Sequence, residues 1–355
     1  MSARALERLI AWFNIAYQVG LDFTKRIFPA MAPWLEQTDE RRTATSPSQN
    51  TLKLPNIDRT IKLPDGRDLS CAKYGASEGP VIFHFHGFPG SRLEGSLYHD
   101  AATALGIQVL TVDRPGVGLS SPHPNRSPRT FADDVQYLAQ HLDLKSYAVM
   151  AISGGGPYAL AYAHAHPEGL KAVALVAAMG PHDVSRKGMS WANRILFHGF
   201  QHYPRVMGFL VPYYVRRVAS LSEDVIVDAV RKLQDPSIPL WLKPKPREMK
   251  VLIYEKVMRT FWRSSREFSR QGFQVYCDEG RILTSNQGFK SGGLRDEIPL
   301  RLWYGTEDAN LGAQMGPRIA SGLGRHATLR MEDEGHASLV VNRAEDVLRD
   351  LKQFL

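Results

Sequence analysis

The chain has 355 residues, 43% of them apolar and 23% charged, which describes a globular protein with room for one large α/β domain carrying an insertion, or for two smaller domains. A net charge of +8 brings nucleic acid and anionic membranes into view, but the densest basic pieces, Arg41-Arg42, Arg216-Arg217 and Lys243 to Lys250, carry no interleaved aromatics and no reader motif, which argues against a nucleic-acid site. The two cysteines, Cys71 and Cys277, match no metal-ligand spacing or disulfide framework and suit a reducing, cytoplasmic compartment.

Residues 1–56 read as an N-terminal helix and a linker arm. Leu6, Leu9, Ile10, Phe13 and Tyr17 recur at helical spacing, after Arg4 and Arg8. Asn14, Gln18 and Asp22 interrupt the apolar run, so a membrane span is not expected. No small-residue cleavage site follows it. Residues 1–35 are read first as packing on the main domain or on a second copy as a homodimer, then as peripheral contact with a membrane, and last as a cleaved or anchoring signal. Ile57 to Leu63 and Leu69 to Tyr74 flank the turn Pro64-Asp65-Gly66-Arg67 and read as a hairpin. Short apolar strands then alternate with helices: Val81 to Phe85, Ile107 to Val112, Tyr147 to Ile152 and Leu170 to Ala177 as strands, with Tyr98 to Leu105, Thr130 to Leu142 and Gly156 to Ala165 as helices. That alternation implies a mostly parallel sheet flanked by helices. It stops at Gly180. Trp191 to Gln201, Tyr203 to Ala219, Ser222 to Leu233 and Pro246 to Gln271 read as helices, and the alternation resumes with the strand Leu300 to Tyr304, a helix over Ala313 to Leu323, the strand Ala327 to Met331 and a helix over Ala344 to Phe354. The expected layout is a core over 57–180 and 296–355, interrupted by a helical cap over 181–295.

Within this layout Ser153 follows the strand YAVMAI and precedes a helix. A sharp strand-to-helix turn exposes a serine oxygen and needs very small neighbours, which Ala151, Gly154 and Gly155 supply. The Gly154 N–H at the helix start is one expected oxyanion donor, and the Phe88 N–H in HFHGFPGSR, freed by Gly87, is the other. Asp308 in YGTEDAN and His336 in DEGHASL follow the last two strands, on the same sheet edge as Ser153. In that order His336 takes the serine proton and Asp308 fixes the imidazole tautomer. Glu307, Glu332 and Asp333 are the competing acids; the turn after Gly305-Thr306-Glu307 presents Asp308 better than Glu307, and Glu332 and Asp333 read as surface or loop-forming groups. His84 and His86 form a period-two pair with no third ligand, so no metal is expected; His86 reads as a hydrogen-bonding residue behind the oxyanion loop. Arg92, Asp113 and Arg114 read as an ion-pair brace for the loops. SGGG lacks the spacing of a phosphate loop, and no cofactor is expected.

Taken together, HGFPGSR, DRPGVGLS, AISGGGPYALAYA, YGTEDAN and DEGHASL resemble, in that order, the α/β-hydrolase fold superfamily, from about Asp58 to Phe354. The resemblance implies a nucleophile at Ser153, an acid at Asp308, a base at His336, oxyanion donors at Phe88 and Gly154, and a cap between the sixth and seventh strands. Ala151 departs from the glycine common two residues before the nucleophile. Serine at the elbow argues against the superfamily's epoxide hydrolases and haloalkane dehalogenases, which use aspartate there. The expected activity is a carboxylic ester hydrolase acting through an acyl-enzyme on a small to medium hydrophobic ester or lactone. The alternatives are a C–C bond hydrolase, a lyase or cyclase of secondary metabolism using the same site, and a non-catalytic receptor or scaffold. The cap carries many aromatics, among them Phe197, Phe200, Phe209, Trp241, Phe268 and Tyr276, a minority of which are expected to wall an apolar cavity over Ser153.

Overall fold

The computed structural model describes residues 58–237, 244–289 and 298–355. The expected N-terminal helix and linker arm, with the membrane or dimer contact assigned to residues 1–35, lie outside these residues, as do Trp241 and Lys243. Among the described residues, 58–223 with 244–289 and 298–355 fall in one compact unit, and 224–237 in a second.

In the first unit the hairpin β1 (Asp58–Lys62) and β2 (Asp68–Gly75) leads to β3 (Val81–Phe85), a 3-10 turn over Arg92–Tyr98, α1 (His99–Leu105), β4 (Gln108–Val112), α2 (Pro128–His141), β5 (Tyr147–Ile152), α3 (Gly156–Ala165) and β6 (Leu170–Val176). The insertion follows as α4 (Trp191–His202), α5 (Pro204–Ala219), α6 (Glu223–Lys232), α7 (Pro246–Leu252), α8 (Glu255–Phe268) and α9 (Val275–Thr284). The chain closes with β7 (Leu300–Gly305), α10 (Met315–Leu323), β8 (Ala327–Glu332), α11 (His336–Asn342) and α12 (Ala344–Lys352). All but the first residue of α6 belongs to the second unit, where Arg231 and Lys232 complement the carbonyl end of the helix.

The strands form one sheet in the order β1-β2-β4-β3-β5-β6-β7-β8. The two pairs made by β2 are antiparallel and the rest are parallel. Period-two alternation sorts the side chains. Tyr147, Val149 and Ala151 of β5 point to one face with Phe83 and Phe85 of β3, where α2 and α3 add Phe131, Val135, Tyr158 and Tyr162. Ala148, Met150 and Ile152 point to the other, against Ala102 of α1 and Val347, Leu348 and Leu351 of α12. Every residue of β3 and β5 is buried, which explains their unbroken apolar runs. The helix α2 starts where its sequence dictates. Pro128 sits in its first turn, and Ser127 and Thr130 exchange side-chain and backbone hydrogen bonds of 2.9 and 3.1 Å.

Every expected strand is present, with ends within one residue. The insertion differs from expectation in two ways. Pro246 to Gln271 is two helices, because Tyr254 turns extended after Ile253, and the acidic Glu255 opens a fresh first turn. The break re-aims the chain, so that α7 packs on α11 and α8 on the 3-10 turn. The helix α9 was not expected at all. It is buried nearly all round, so its sequence carries no clean amphipathic stripe. The short helix α11 was also unassigned. The thiols of Cys71 in β2 and Cys277 in α9 are free and buried, and Cys277 donates to Met207 O at 3.2 Å. No helix among the described residues is long and apolar enough to cross a membrane.

Candidate active site

The parallel strands deliver four loops to one edge. Phe85 leads to His86-Gly87-Phe88, Ile152 to Ser153, Gly305 to Asp308, and Glu332 to His336. Ser153 sits at φ +48°, the left-handed region that a β-substituted residue enters only under strain. The turn is held because Ser153 O accepts from Met179 N at 2.8 Å and because its neighbours are small. A Cβ on Gly155 would lie 2.4 Å from Phe85 O, and one on Gly154 would lie 2.7 Å from Phe88 Cβ. Ala151 lies within the extended strand between Phe85 and Leu175.

Ser153 Oγ is 3.2 Å from His336 Nε2, and His336 Nδ1 is 2.8 Å from Asp308 Oδ2. The other Asp308 oxygen accepts from the Asn310 and Leu311 amides at 2.8 and 2.9 Å. Burial alone would raise the Asp308 pKa. The charge and hydrogen bond of His336, with those two amides, outweigh it and hold the carboxyl below its usual value. Burial likewise opposes the charged form of His336, but Asp308, Glu248 and Glu94 together lift its pKa above 6.5. The assigned tautomer, protonated at Nδ1, leaves Nε2 free to accept from the serine hydroxyl. The competing acids are engaged elsewhere. Asp333 pairs with Arg247 and Glu332 with Arg343, while Glu307 stays partly exposed.

The Phe88 and Gly154 backbones approach closely, since a Cβ on Gly154 would be 3.3 Å from Phe88 N. Among the described residues neither amide meets an acceptor, an arrangement suited to an oxyanion. The loop that carries Phe88 is braced from three sides. Gly87 N donates to Glu94 Oε2 at 2.7 Å, and Arg114 donates to His86 O and Gly87 O, both at 2.7 Å. His86 Nδ1 lies 3.0 Å from Gly87 O. Burial and Arg114 push the His86 pKa well down, so its ring stays neutral. Burial also lowers His84 to about 3, and its Nδ1 contacts Thr111. Among the described residues no three His, Cys, Asp or Glu side chains are grouped to hold a metal.

The brace differs in detail from the expected one. Arg92 pairs with Asp113 at 2.8 Å, and also with Asp58 and Glu267. Arg114 instead lies 3.0 Å from Glu279 on α9, an ion pair without hydrogen-bond alignment, and stacks on the Tyr158 ring at 4.7 Å. Sequence reasoning missed three carboxylates here: Glu94, Glu248 and Glu279. Only Glu94 carries a local signal, as part of HGFPGSRLE; the other two act across more than a hundred or nearly ninety residues. Burial raises the Glu94 pKa to about 7, against the Gly87 amide, Arg114 and His336, which favour its charge.

Around Phe88 the insertion supplies an aromatic roof. Phe88 meets Phe197, Phe200, Phe268 and Tyr276 at centroid distances of 5.6–6.4 Å. Leu283 of α9 reaches the Gly154 backbone. A separate cleft of about 510 Å³ opens between Pro115 to Pro128 and Gln271 to Gln287. Its lining includes none of Ser153, Asp308 and His336, so it is not the space in which a bound carbonyl would meet Ser153.

Comparisons with known proteins agree with this architecture. A non-heme chloroperoxidase of Streptomyces lividans is 33% identical over 125 residues, 34% of this chain and 45% of that protein. A proline iminopeptidase of Xylella fastidiosa is 31% identical over 109 residues, 29% of this chain and 34% of that protein. The chain thus matches less than half the length of these curated relatives. A thermophilic esterase of Thermogutta terrifontis superposes with a TM-score of 0.59 at 16% identity, over 82% of this chain and 97% of that one, a likeness of fold alone. The family profile described as the alpha/beta hydrolase fold matches residues 80–342, and with the sheet order, the elbow and the inserted cap already in place, the chain belongs to that family.

Proposed function

We propose that the protein is a serine hydrolase that cleaves a small to medium hydrophobic carboxylic ester or lactone through an acyl-enzyme. The observation that carries this reading is the continuous chain Ser153–His336–Asp308, with links of 3.2 and 2.8 Å, beside two unengaged amides. Ser153 Oγ attacks the carbonyl carbon while His336 Nε2 takes its proton. The carbonyl oxygen becomes an oxyanion between the Phe88 and Gly154 amides. The C–O bond breaks, and His336 returns the proton to the departing alkoxide. Water then attacks the acyl-Ser153 ester with the same base, releasing the acid and restoring the serine. Proton transfer through His336 contributes about 10²–10⁴ in rate, and each oxyanion donor about 3–4 kcal/mol. The apolar preference rests on the aromatic roof at Phe88. A soluble fluorophosphonate probe tests the reading. The wild-type chain takes one label at Ser153, and Ser153→Ala, still folded, takes none and loses turnover of short-chain esters and lactones. A folded wild type that resists the probe removes the acyl-enzyme. Labelling together with turnover of β-diketones but not esters would replace ester hydrolysis by C–C cleavage.

A further inference from the structure

The helix α11 begins with His336, and its N-cap residue is Gly335. A helix start leaves amide donors without intrahelical partners, and a glycine cap has no side chain to offer them. Ser338 Oγ does not fill the gap, because it accepts from Gly335 N at 2.7 Å. The acceptors come instead from the insertion. Glu248 on α7 takes the Ala337 amide with Oε1 at 2.8 Å and the Ser338 amide with Oε2 at 3.0 Å. Both carboxylate oxygens are thus spent on the two residues that follow the candidate base. Gly335 itself has φ −86°, a backbone that any residue adopts. What excludes a side chain there is room, since a Cβ would lie 2.4 Å from Glu248 Oε2. The sequence has given up a local cap at position 335 and accommodates a distant one.

We propose that Glu248 is a positioning residue for His336, a cap-borne carboxylate that completes the start of α11 and sets the orientation and charge of the base only while α7 is seated. This inference rests on the Ser153–His336–Asp308 reading above. Three carboxylates from three elements face His336. They are Asp308 from the loop after β7, Glu94 from the 3-10 turn and Glu248 from α7. The adjacent charges are otherwise occupied, Arg247 with Asp333 and Glu334 with Asn342 and Arg343. A negative charge beside an imidazole favours its protonated form. Removing the charge of Glu248 therefore lets His336 lose its proton at lower pH, and removing its oxygens frees the turn that aims the ring at Ser153.

The test is the rate of fluorophosphonate labelling of the full chain as a function of pH, with folding checked by thermal unfolding. Glu248→Ala is expected to slow labelling about tenfold on the high-pH plateau and to move the midpoint to lower pH. Glu248→Gln keeps one acceptor, so it moves the midpoint the same way with a smaller loss of rate, and it decides the matter if the alanine variant does not fold. The double variant Glu248→Ala with Gly335→Asp builds a local anionic cap in the space vacated. It is expected to restore the midpoint upward and to recover the rate to within about threefold of wild type. Folded single variants with wild-type rate and midpoint would overturn the proposal. So would a slower rate with an unmoved midpoint and no rescue, which is the behaviour of a general packing defect. A wild type that takes no label removes the triad reading and this one together, whereas those variant results remove this one alone.

Discussion

The carboxyl of Glu94 is a group whose titration the fold should feel. It is 5% exposed, and it holds the Gly87 amide of the candidate oxyanion loop. Its pKa rises from 4.5 to about 7 because burial outweighs the Gly87 amide, Arg114 and His336. The folded state thus keeps a proton between those values that the unfolded chain releases, so stability falls as pH rises through that window and levels off above about 7. At about 1.36 kcal/mol for each pH unit of displacement this amounts to roughly 3 kcal/mol lost in full, most of it between about pH 5 and about pH 8. Glu94→Gln retains an acceptor for Gly87 N–H and has no charge to desolvate. The variant should therefore match the wild type near pH 5 and exceed it by about 2 kcal/mol near pH 8. Urea unfolding at a series of pH values reads this as a growing gap in midpoint at constant slope. A variant that becomes the weaker protein as pH rises would show that the Glu94 carboxylate is ionised and well paired, and the argument from burial would be refuted.

Three further outcomes follow from the same network. In Asp308→Asn the Asn310 and Leu311 amides claim the side-chain oxygen and leave the NH2 facing His336 Nδ1, which favours the unreactive tautomer, so kcat on a short-chain ester should fall about 10³–10⁴-fold with the fold intact; a loss under tenfold would place the orienting role elsewhere. In the wild type the labelling rate should rise with pH through a midpoint above the usual histidine value, because His336 must be neutral to act and its neighbours hold its proton. Arg114→Met removes the partner of the fully buried Glu279 and the donor to two loop carbonyls, and chemical denaturation should record a loss of about 3–5 kcal/mol. A change below about 1 kcal/mol would mean that Arg126, 3.5 Å from the other Glu279 oxygen, suffices alone.

The sheet was legible because its information is local. Each strand is a short apolar run, and the turn between β1 and β2 announces itself in Pro64-Asp65-Gly66. Ser153, Asp308 and His336 were legible for a related reason. Each follows a strand end, and parallel strands bring their ends to one edge whatever lies between them. The insertion was harder. Nothing in the periodicity of Pro246 to Gln271 forces the break at Ile253 and Tyr254, which serves two packing surfaces at once. The helix α9 is buried too evenly to show a stripe. The least legible feature is the set of carboxylates around the site. Glu248 caps a helix nearly ninety residues later, and Glu279 meets Arg114 across a gap of similar kind. Such pairs exist only in three dimensions, and a single sequence offers no period or spacing that joins them.

The two cysteines carry a consequence of a different sort. Burial lifts both thiols to about 11, so near neutral pH fewer than about one molecule in a thousand bears either thiolate. A thiol reagent sees almost nothing until the chain opens. Cys71 lies in the sheet and Cys277 in the insertion, so the two silent sulfurs are separate clocks. One times the lifting of α9 away from Met207, and the other the breaking of β2 from its neighbours. The order in which they are modified would tell whether the aromatic roof at Phe88 opens on its own or only when the whole protein comes apart.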